Sequence, residues 1–290
     1  YNASSAEDNR AMWDAMLNSR RYRTLKCNYI STMLCEKTQT QFCAFTVYPD
    51  DTIPIVIFRG TDETILGWQE DYNMTGENPI TGQRLAALYL KQVALRIPGE
   101  FSVAGHSKGG NLAIYSVMAG SRELQDRIRN IYCFDGPHFR QVVLDEFNYS
   151  SIEKKVRKFI PQSSVVGILF ETGHNYKVVK SNATGGVAQH NPYTWSVKKG
   201  SFVPRRKVSN YSLRLNEKMI DAVEVLDIEQ IELFGRILFG LLQYGNTRTT
   251  TELSRDGIKT AQNLLKAAKD LTTEEKEKCK EILVELSHLD

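Results

Sequence analysis

Short apolar runs rich in Val, Ile, Phe and Tyr recur along the first part of the chain and are typical of β-strands. Two longer stretches between them, Gln83–Ile97 and Asn111–Ala119, have the spacing of helices. This alternation predicts an α/β fold with a mainly parallel sheet covered by helices on both faces, to which the early strands add an antiparallel portion. The predicted strands are Leu25–Ile30, Gln41–Tyr48, Ile53–Phe58, Phe101–Ala104, Ile131–Phe134, Val156–Ile160 and Tyr176–Lys180.

The chain changes character near Pro204, after which helical patterns dominate. Ile228–Gln243 is predicted as one helix, and Thr272-Thr273-Glu274-Glu275 is a capping-box pattern that begins another. We therefore expect an α/β domain over residues 1–204 and a C-terminal helical region over residues 205–290.

Composition narrows the class of protein. The 290 residues are 41% apolar and 24% charged, which is typical of a folded globular chain. No apolar run reaches the ~20 residues that a membrane-spanning helix needs. Lys plus Arg number 37 against 34 Asp plus Glu, a net charge of +3 that gives no indication of a nucleic-acid partner. Five cysteines without a CxxC pair argue against a disulfide framework and a zinc site, and we expect a cytoplasmic rather than secreted protein.

The segment from Phe101 to Gly110 carries the strongest chemical signal. Gly105-x-Ser107-x-Gly109 follows a predicted strand and precedes a predicted helix. A nucleophile at the apex of such a turn needs glycine two residues to either side, because β-carbons there would collide. Ser107 would then lie at a helix N-terminus, where backbone N–H groups and the helix dipole favour an oxyanion. We predict that Ser107 is a nucleophile.

A serine hydroxyl needs a base within hydrogen-bond reach to act as a nucleophile at neutral pH. His106 is next to the serine, His138 follows Asp135 too closely, and His288 lies at the extreme C-terminus. His174 and His190 remain, and both fit the chain order serine, acid, histidine that hydrolases with this turn require. His190 is favoured because it follows a strand and a Gly-rich loop.

The acid that would orient the histidine has two candidates. Asp135 ends the predicted strand Ile131–Phe134 and is followed by Gly136-Pro137, so its carboxylate lies at a strand tip. The next predicted strand has no carboxylate after it until Glu171. Asp135 is the better candidate, and its function would be to hold the imidazole in one tautomer and stabilise the imidazolium.

Hydrolysis of an ester also needs two donors for the oxyanion. Thr61 follows the strand that ends at Phe58 and a Gly turn, and the N–H of Lys108 would supply the second donor. The segment from Asp62 to Gly82, with Trp68 among acidic residues, has the character of a mobile flap over an apolar acyl site.

Several short motifs resemble the Mbeg-type family, a bacterial group of α/β hydrolases that is related to the class 3 triacylglycerol lipases. The resemblance extends from about Leu17 to Val197, and the motifs are specific as a set rather than singly. They are Arg59-Gly60-Thr61-Asp62, Gly67-Trp68-x-Glu70-Asp71, Gly105-His106-Ser107-Lys108-Gly109-Gly110-Asn111, Phe134-Asp135-Gly136-Pro137, Ser164-x-Val166-Gly167 and His190-x-x-x-x-Trp195.

The resemblance implies an α/β-hydrolase fold with Ser107 as nucleophile, His190 as base, and Thr61 and Lys108 as oxyanion-hole residues. The class 3 lipases carry their acid where this chain has Ser164. Either the acid has moved to Asp135, as in pancreatic-type lipases, or the triad is incomplete. Lys108 also replaces the leucine usual in lipases, from which we expect a more polar floor of the site.

The sequence therefore predicts a serine ester hydrolase of esterase or lipase type, acting on small-molecule or lipid esters without a metal or organic cofactor. Two alternatives use the same fold. One is an acyltransferase with the same triad, and the other is a binding protein that has lost catalysis. Neither the oligomeric state nor the acyl length follows from the sequence.

Overall fold

The centre of the protein is a seven-stranded sheet whose strand order follows the chain order. The computed structural model describes residues 6–62, 64–76, 79–173, 175–244 and 257–287. The strands of this sheet are β1 (Lys26–Cys35), β2 (Thr40–Tyr48), β3 (Ile55–Phe58), β4 (Phe101–His106), β5 (Ile128–Phe134), β6 (Val156–Pro161) and β7 (Tyr176–Val179). Two short strands, β8 (Val197–Lys198) and β9 (Ser201–Phe202), form a separate hairpin.

Strand direction decides where functional side chains meet. The first three strands pair antiparallel, whereas β3 to β7 run parallel. The carboxyl ends of parallel strands lie at one edge of a sheet, so residues that follow β3, β4 and β5 come together there. Thr61, Ser107 and Asp135 are these residues.

Helices connect and cover the strands. In chain order they are α1 (Ala6–Asn18), α2 (Ile65–Asn73), α3 (Thr81–Ala94), α4 (Lys108–Met118), α5 (Arg122–Arg127), α6 (Gln141–Glu146), α7 (Gly186–Gln189), α8 (Asn210–Val225), α9 (Ile228–Gln243), α10 (Gly257–Asp270) and α11 (Thr273–Ser287).

The main hydrophobic core lies between the sheet and α4, every residue of which is buried. Strand residues alternate between the two faces, so Ile131 and Cys133 of β5 belong to this core. Phe134 occupies the other face, where it stacks on Phe159 and contacts Trp195. The strand that leads to Asp135 is therefore packed on both sides.

The strand pattern is confirmed for all seven predicted strands, although β1 extends five residues beyond its predicted end. The helix Ile228–Gln243 has the predicted bounds. The capping box is also confirmed, because the hydroxyl and N–H of Thr272 donate to the Glu275 carboxylate and the N–H of Glu275 donates back to that hydroxyl.

Between Asp62 and Gly82, where a mobile flap is predicted, the structure has a helix that the sequence pattern did not indicate. This segment contains α2, in which Ile65 and Glu70 are buried, while the side chain of Trp68 is 46% exposed. The pattern was misleading because the buried positions of α2 include a glycine, a glutamine and a glutamate instead of an apolar stripe. Helices α1 and α8 also had no sequence prediction.

The C-terminal helices contact the α/β region through both α8 and α9. The hydroxyl of Tyr72 on α2 donates to the carbonyl of Ile231, 2.8 Å away, and the Tyr72 ring meets the Phe239 ring edge to face. Within the described ranges, no helix has the length and apolar character required to cross a bilayer.

Candidate active site

Ser107 lies at the apex of the turn between β4 and α4. Its backbone has φ 57° and ψ −133°, a left-handed conformation that costs energy in a residue with a β-carbon. Glycines make this turn possible: a β-carbon on Gly105 would lie 2.1 Å from the carbonyl of Gly109, and one on Gly109 would lie 2.1 Å from the carbonyl of Phe58. The strained turn directs the serine out of the sheet edge.

His190 follows α7 and lies within hydrogen-bond reach of the serine. The hydroxyl of Ser107 is 2.9 Å from His190 Nε2, to which it can donate its proton. The indole N–H of Trp195 donates to the carbonyl of Gln189 at 2.8 Å, which fixes the end of α7 next to the histidine. The His190 side chain remains 22% exposed, so this is the part of the site that solvent can reach.

Asp135 meets the other side of the same imidazole. Its Oδ2 is 2.7 Å from His190 Nδ1, which sets Nδ1 as the donor and leaves Nε2 free to accept from Ser107. The carboxylate has no solvent exposure. Its second oxygen, Oδ1, accepts from the hydroxyl of Ser164 at 2.6 Å and from the N–H of Gly167 at 3.1 Å. Each carboxylate oxygen thus has a donor, as a buried charge requires.

Glu171 lies elsewhere, in a buried ion pair. Its carboxylate accepts from the Lys158 ammonium at 2.8 Å. Burial alone would raise the pKa of Glu171, but the Lys158 ammonium beside it holds this pKa below its ordinary value. Of the two candidate acids, the one in contact with His190 is Asp135. His174 and His288 lie outside the described residues.

The candidate oxyanion donors flank the serine. Gly60 packs directly against it, since a β-carbon there would lie 3.2 Å from the β-carbon of Ser107. In the described part of the chain, no hydrogen-bond partner occupies the backbone N–H of Thr61 or that of Lys108. Both amides are therefore available to a ligand at Ser107.

The hydroxyl of Thr61 is held by a neighbouring carboxylate. It lies 2.8 and 2.7 Å from the two oxygens of Asp71 on α2 and donates to this group. Burial raises the pKa of Asp71 to about 6, while Lys108 and the Thr61 hydroxyl act in the opposite direction. The carboxylate is charged at neutral pH and fixes the orientation of the Thr61 side chain.

The side chain of Lys108 does not form the polar floor that its sequence position suggested. It is fully buried and its ammonium contacts the Glu70 carboxylate at 2.5 Å and the carbonyl of Gln41 at 2.9 Å. The expectation was wrong because a partner carboxylate within the protein holds the ammonium away from the site. Glu70 and Gln41 had no assigned function, although Glu70 belongs to a motif shared with Asp71.

His106 supports the histidine instead of acting as a base. Its Nε2–H donates to the backbone carbonyl of His190 at 2.8 Å, and the two rings lie 4.6 Å apart, centroid to centroid. Burial, followed by the proximity of His190, lowers the pKa of His106 to about 4. His106 is therefore neutral at physiological pH and places no second charge beside His190.

The described residues contain no group of three or more His, Cys, Asp or Glu side chains that could bind a metal ion. All five cysteines are free thiols; Cys133 is buried in the core and Cys27 is exposed. The arrangement at the sheet edge, a serine, a histidine, an aspartate and two free amides, has the geometry of nucleophilic acyl transfer.

Comparison with known proteins gives a family and distant structural likenesses. The Rhizomucor miehei lipase propeptide complex is 14% identical, with a TM-score of 0.41 over 64% of this chain and 75% of that chain. M37 lipase is 13% identical, with a TM-score of 0.41 over 73% and 71%. A fungal lipase–inhibitor complex is 15% identical, with a TM-score of 0.38 over 72% and 89%. No curated protein matches the chain.

The family assignment rests on a sequence match over most of the chain. The Mbeg1-like family model matches residues 16–240, which is more than half of the chain. The match includes the whole seven-stranded sheet and the Ser107 turn. The chain belongs to the Mbeg1-like family, and its mainly parallel sheet, with the Ser107 turn between β4 and α4, has an α/β-hydrolase fold.

Proposed function

We propose that this protein is a serine hydrolase that cleaves carboxylic esters, with Ser107 as nucleophile, His190 as general base and Asp135 as the acid that orients it. The observation that carries this proposal is the continuous hydrogen-bonded chain from Ser107 Oγ through both nitrogens of His190 to Asp135, with distances of 2.9 and 2.7 Å. Such a chain is the arrangement that makes a serine hydroxyl nucleophilic at neutral pH.

The reaction proceeds in two halves. Ser107 Oγ attacks the ester carbonyl carbon as its proton moves to His190 Nε2, and the tetrahedral intermediate carries its negative charge on the former carbonyl oxygen. His190 then returns the proton to the leaving alkoxide as the carbon–oxygen bond breaks, which leaves an acyl-enzyme. Water attacks this ester with His190 again as base, and the acid and free Ser107 are released.

The oxyanion is stabilised by the N–H groups of Thr61 and Lys108. Both amides lie beside Ser107, one after the β3 turn and the other at the first position of α4, where the helix dipole adds to their effect. Asp71 holds the hydroxyl of Thr61 so that this residue keeps one orientation. Charge that develops on the substrate therefore meets donors that are already in place.

In this proposal Asp135 takes the part that another residue plays in class 3 lipases, and neighbouring residues accommodate its carboxylate. Ser164 occupies the position of that acid and donates to Asp135 Oδ1, and Gly167 admits the carboxylate because a β-carbon there would lie 2.3 Å from the same oxygen. A complete triad with a relocated acid favours catalysis over the alternative of a binding protein.

The test is a series of p-nitrophenyl esters from acetate to longer acyl chains, assayed with the wild type and with Ser107→Ala and His190→Ala. Each variant should lower kcat by a factor on the order of 10⁶, as loss of a nucleophile or base does in serine hydrolases. Ser116→Ala, a buried serine on the same helix as the turn, is the matched control and should keep its activity.

The same assay with added alcohol or amine acceptors measures how the acyl group partitions. Free acid as the main product supports hydrolysis, and acyl transfer to the acceptor as the main product would indicate an acyltransferase. A folded wild-type protein that cleaves none of the esters, or a Ser107→Ala variant as active as the wild type, would overturn the proposal.

A further inference from the structure

The proposed chemistry leaves two buried charges beside Ser107 without a function, the Lys108 ammonium and the Glu70 carboxylate. Their side chains are 0% and 2% exposed. Removing two charges from water costs several kcal/mol per ion, so a buried pair adds little or nothing to stability relative to apolar residues of similar volume. Stability alone is therefore a weak explanation for this pair, and its other contacts are more informative.

Gln41, the second residue of β2, links the pair to the oxyanion loop, which comprises residues 60–62 and 64. Its backbone bonds to both charges: the N–H donates to Glu70 at 3.0 Å, and the carbonyl accepts from Lys108 at 2.9 Å. Its buried side-chain amide bonds to the loop. The amide oxygen accepts from the N–H of Asp62 at 3.1 Å, and the amide nitrogen donates to the hydroxyl of Thr64 at 3.1 Å.

The contacts of Gln41 reach both candidate oxyanion donors. Asp62 and Thr64 follow Thr61 in the loop, and Asp71, which holds the Thr61 hydroxyl, is the neighbour of Glu70 on α2. The second donor is the N–H of Lys108 itself. Lys108 thus contributes a candidate oxyanion donor from its backbone N–H, and its side-chain ammonium bonds to Gln41.

We propose that Gln41, Glu70 and Lys108 form a positioning network that holds the Thr61 and Lys108 amides at a fixed separation around Ser107. The inference rests on the proposed ester hydrolysis. Without the ion pair, α2 and β2 lose their direct link to the first turn of α4, and the two donors can shift relative to each other. A shift of about 1 Å in a catalytic group can lower a rate by a factor on the order of 10².

The test compares this ion pair with a second buried pair of the same composition. Lys108→Met and Glu70→Gln each remove one charge and keep the backbone N–H groups. Each should lower kcat for p-nitrophenyl butyrate by roughly 10- to 100-fold and leave KM within about threefold, because the donors act on the transition state. Lys158→Met breaks the Lys158–Glu171 pair, whose side chains are 2% and 3% exposed, and is the matched control. It should lower the melting temperature as much as Lys108→Met does, with kcat within about threefold of the wild-type value.

A double variant separates positioning from stability. Lys108→Met combined with Glu70→Met removes both charges, so the melting temperature should recover in part: no unpaired charge remains buried, although the backbone N–H and carbonyl of Gln41 lose their partners. The positioning network predicts that kcat stays at least tenfold below the wild-type value, by the cost of a misplaced donor. A double variant that recovers both melting temperature and kcat would overturn the proposal, as would equal losses of kcat in Lys158→Met.

Amide hydrogen exchange tests the same network by a measurement that does not depend on catalytic activity. Exchange in a peptide that covers residues 59–62 should be at least about tenfold faster in Lys108→Met and Glu70→Gln, and unchanged in Lys158→Met, because only the first pair is connected to this loop. Unchanged exchange in all three variants would contradict the network. A wild-type protein without esterase activity would refute the proposed function, and the exchange result would then decide the network by itself.

Discussion

Two lysine–glutamate pairs are buried among the described residues, and they lie on opposite sides of β4 in the sheet. The pair Lys108–Glu70 bonds to Gln41, which continues into the oxyanion loop. The pair Lys158–Glu171 joins β6 to the chain that follows it, and the carbonyl of Glu171 accepts from the amide of Asn216 on α8 at 2.8 Å. The two pairs have the same composition and burial, but of these two only the first has hydrogen bonds that lead to the loop beside Ser107.

The difference indicates that the two flanks of Ser107 are built in different ways. On the flank of Thr61, the charged side chains of Lys108 and Glu70 bond to the backbone of Gln41. On the histidine flank, the charged group within hydrogen-bond distance of His190 among the described residues is Asp135, and neutral donors from Ser164 and Gly167 bond to its carboxylate. In the described part of the chain, the Lys158–Glu171 pair has no hydrogen bond to Ser107, His190 or Asp135.

The largest expected effect contrasts the two carboxylates on the histidine flank. Asp135→Asn should lower kcat by a factor on the order of 10⁴, because an amide stabilises the wrong tautomer of His190 and cannot stabilise the imidazolium. Glu171→Gln should lower the melting temperature and keep kcat within about threefold, because its carboxylate pairs with Lys158 and no hydrogen bond joins it to His190 in the described part of the chain. The measurement is kcat for p-nitrophenyl butyrate at pH 8 with each variant shown to be folded by circular dichroism.

The opposite pattern would reverse the assignment of the acid. An active Asp135→Asn protein together with a Glu171→Gln protein that has lost catalysis would show that Glu171 acts on the histidine.

A smaller effect should follow from the loss of one neutral donor to Asp135. Ser164→Ala removes the 2.6 Å hydrogen bond to Oδ1, and Gly167 still donates to this oxygen. A hydrogen bond to a charged group contributes roughly 1.5–3 kcal/mol, and we expect the variant to lose about tenfold in kcat.

Ser163→Ala is the matched control for this prediction. The backbone N–H of Ser163 donates to Gln189, and this bond survives the substitution. Equal kcat values in the two alanine variants would argue that Ser164 does not support the acid.

The smallest expected effect concerns pH and the buried histidine on the same flank. Burial, and next the charge of Lys158, lowers the pKa of His138 from its ordinary value of 6.5 to about 4. The unfolded chain therefore binds a proton below pH 6.5 that the folded protein does not, so stability is lost as pH falls from 6.5 towards 4. Between pH 8 and pH 5.5 this histidine should cost on the order of 1 kcal/mol of unfolding free energy.

His138→Phe should reduce the fall in unfolding free energy between pH 8 and pH 5.5 by this amount, as measured by urea unfolding at the two pH values. The variant keeps an aromatic ring beside Phe139 and Tyr149, so the comparison is between pH values within one protein. An identical fall in wild type and variant would mean that His138 is charged in the folded state.

Most elements of the fold could be predicted from local sequence patterns. Apolar runs predicted every strand of the seven-stranded sheet. The central strands are nearly continuous in Val, Ile and Phe because they are covered on both faces, whereas the edge strand β1 is largely exposed. The nucleophile turn was recognisable from Gly105 and Gly109, since both glycines are required by backbone contacts within a few residues of sequence. Helix α2 escaped prediction because its buried face contains Gln69 and Glu70, whose burial depends on partners elsewhere in the chain.

The candidate site was harder to predict because its decisive contacts are long-range. Asp135 and Glu171 both follow strands of the same sheet, and the sequence alone could not decide between them. The choice depends on two contacts between residues far apart in sequence. His190 bonds to Asp135 at the sheet edge, and Lys158 forms an ion pair with Glu171. The direction of the Lys108 side chain depends likewise on Gln41 and Glu70, 67 and 38 residues away.

The account depends on a nucleophilic Ser107, and the most direct measurement is intact-mass analysis after reaction with a fluorophosphonate. The wild-type protein should gain the mass of one phosphonyl group, located at Ser107 by peptide mapping, and Ser107→Ala should gain none, because the reagent requires an activated serine. A folded wild-type protein that stays unmodified, or a Ser107→Ala variant modified at the same rate, would contradict the account.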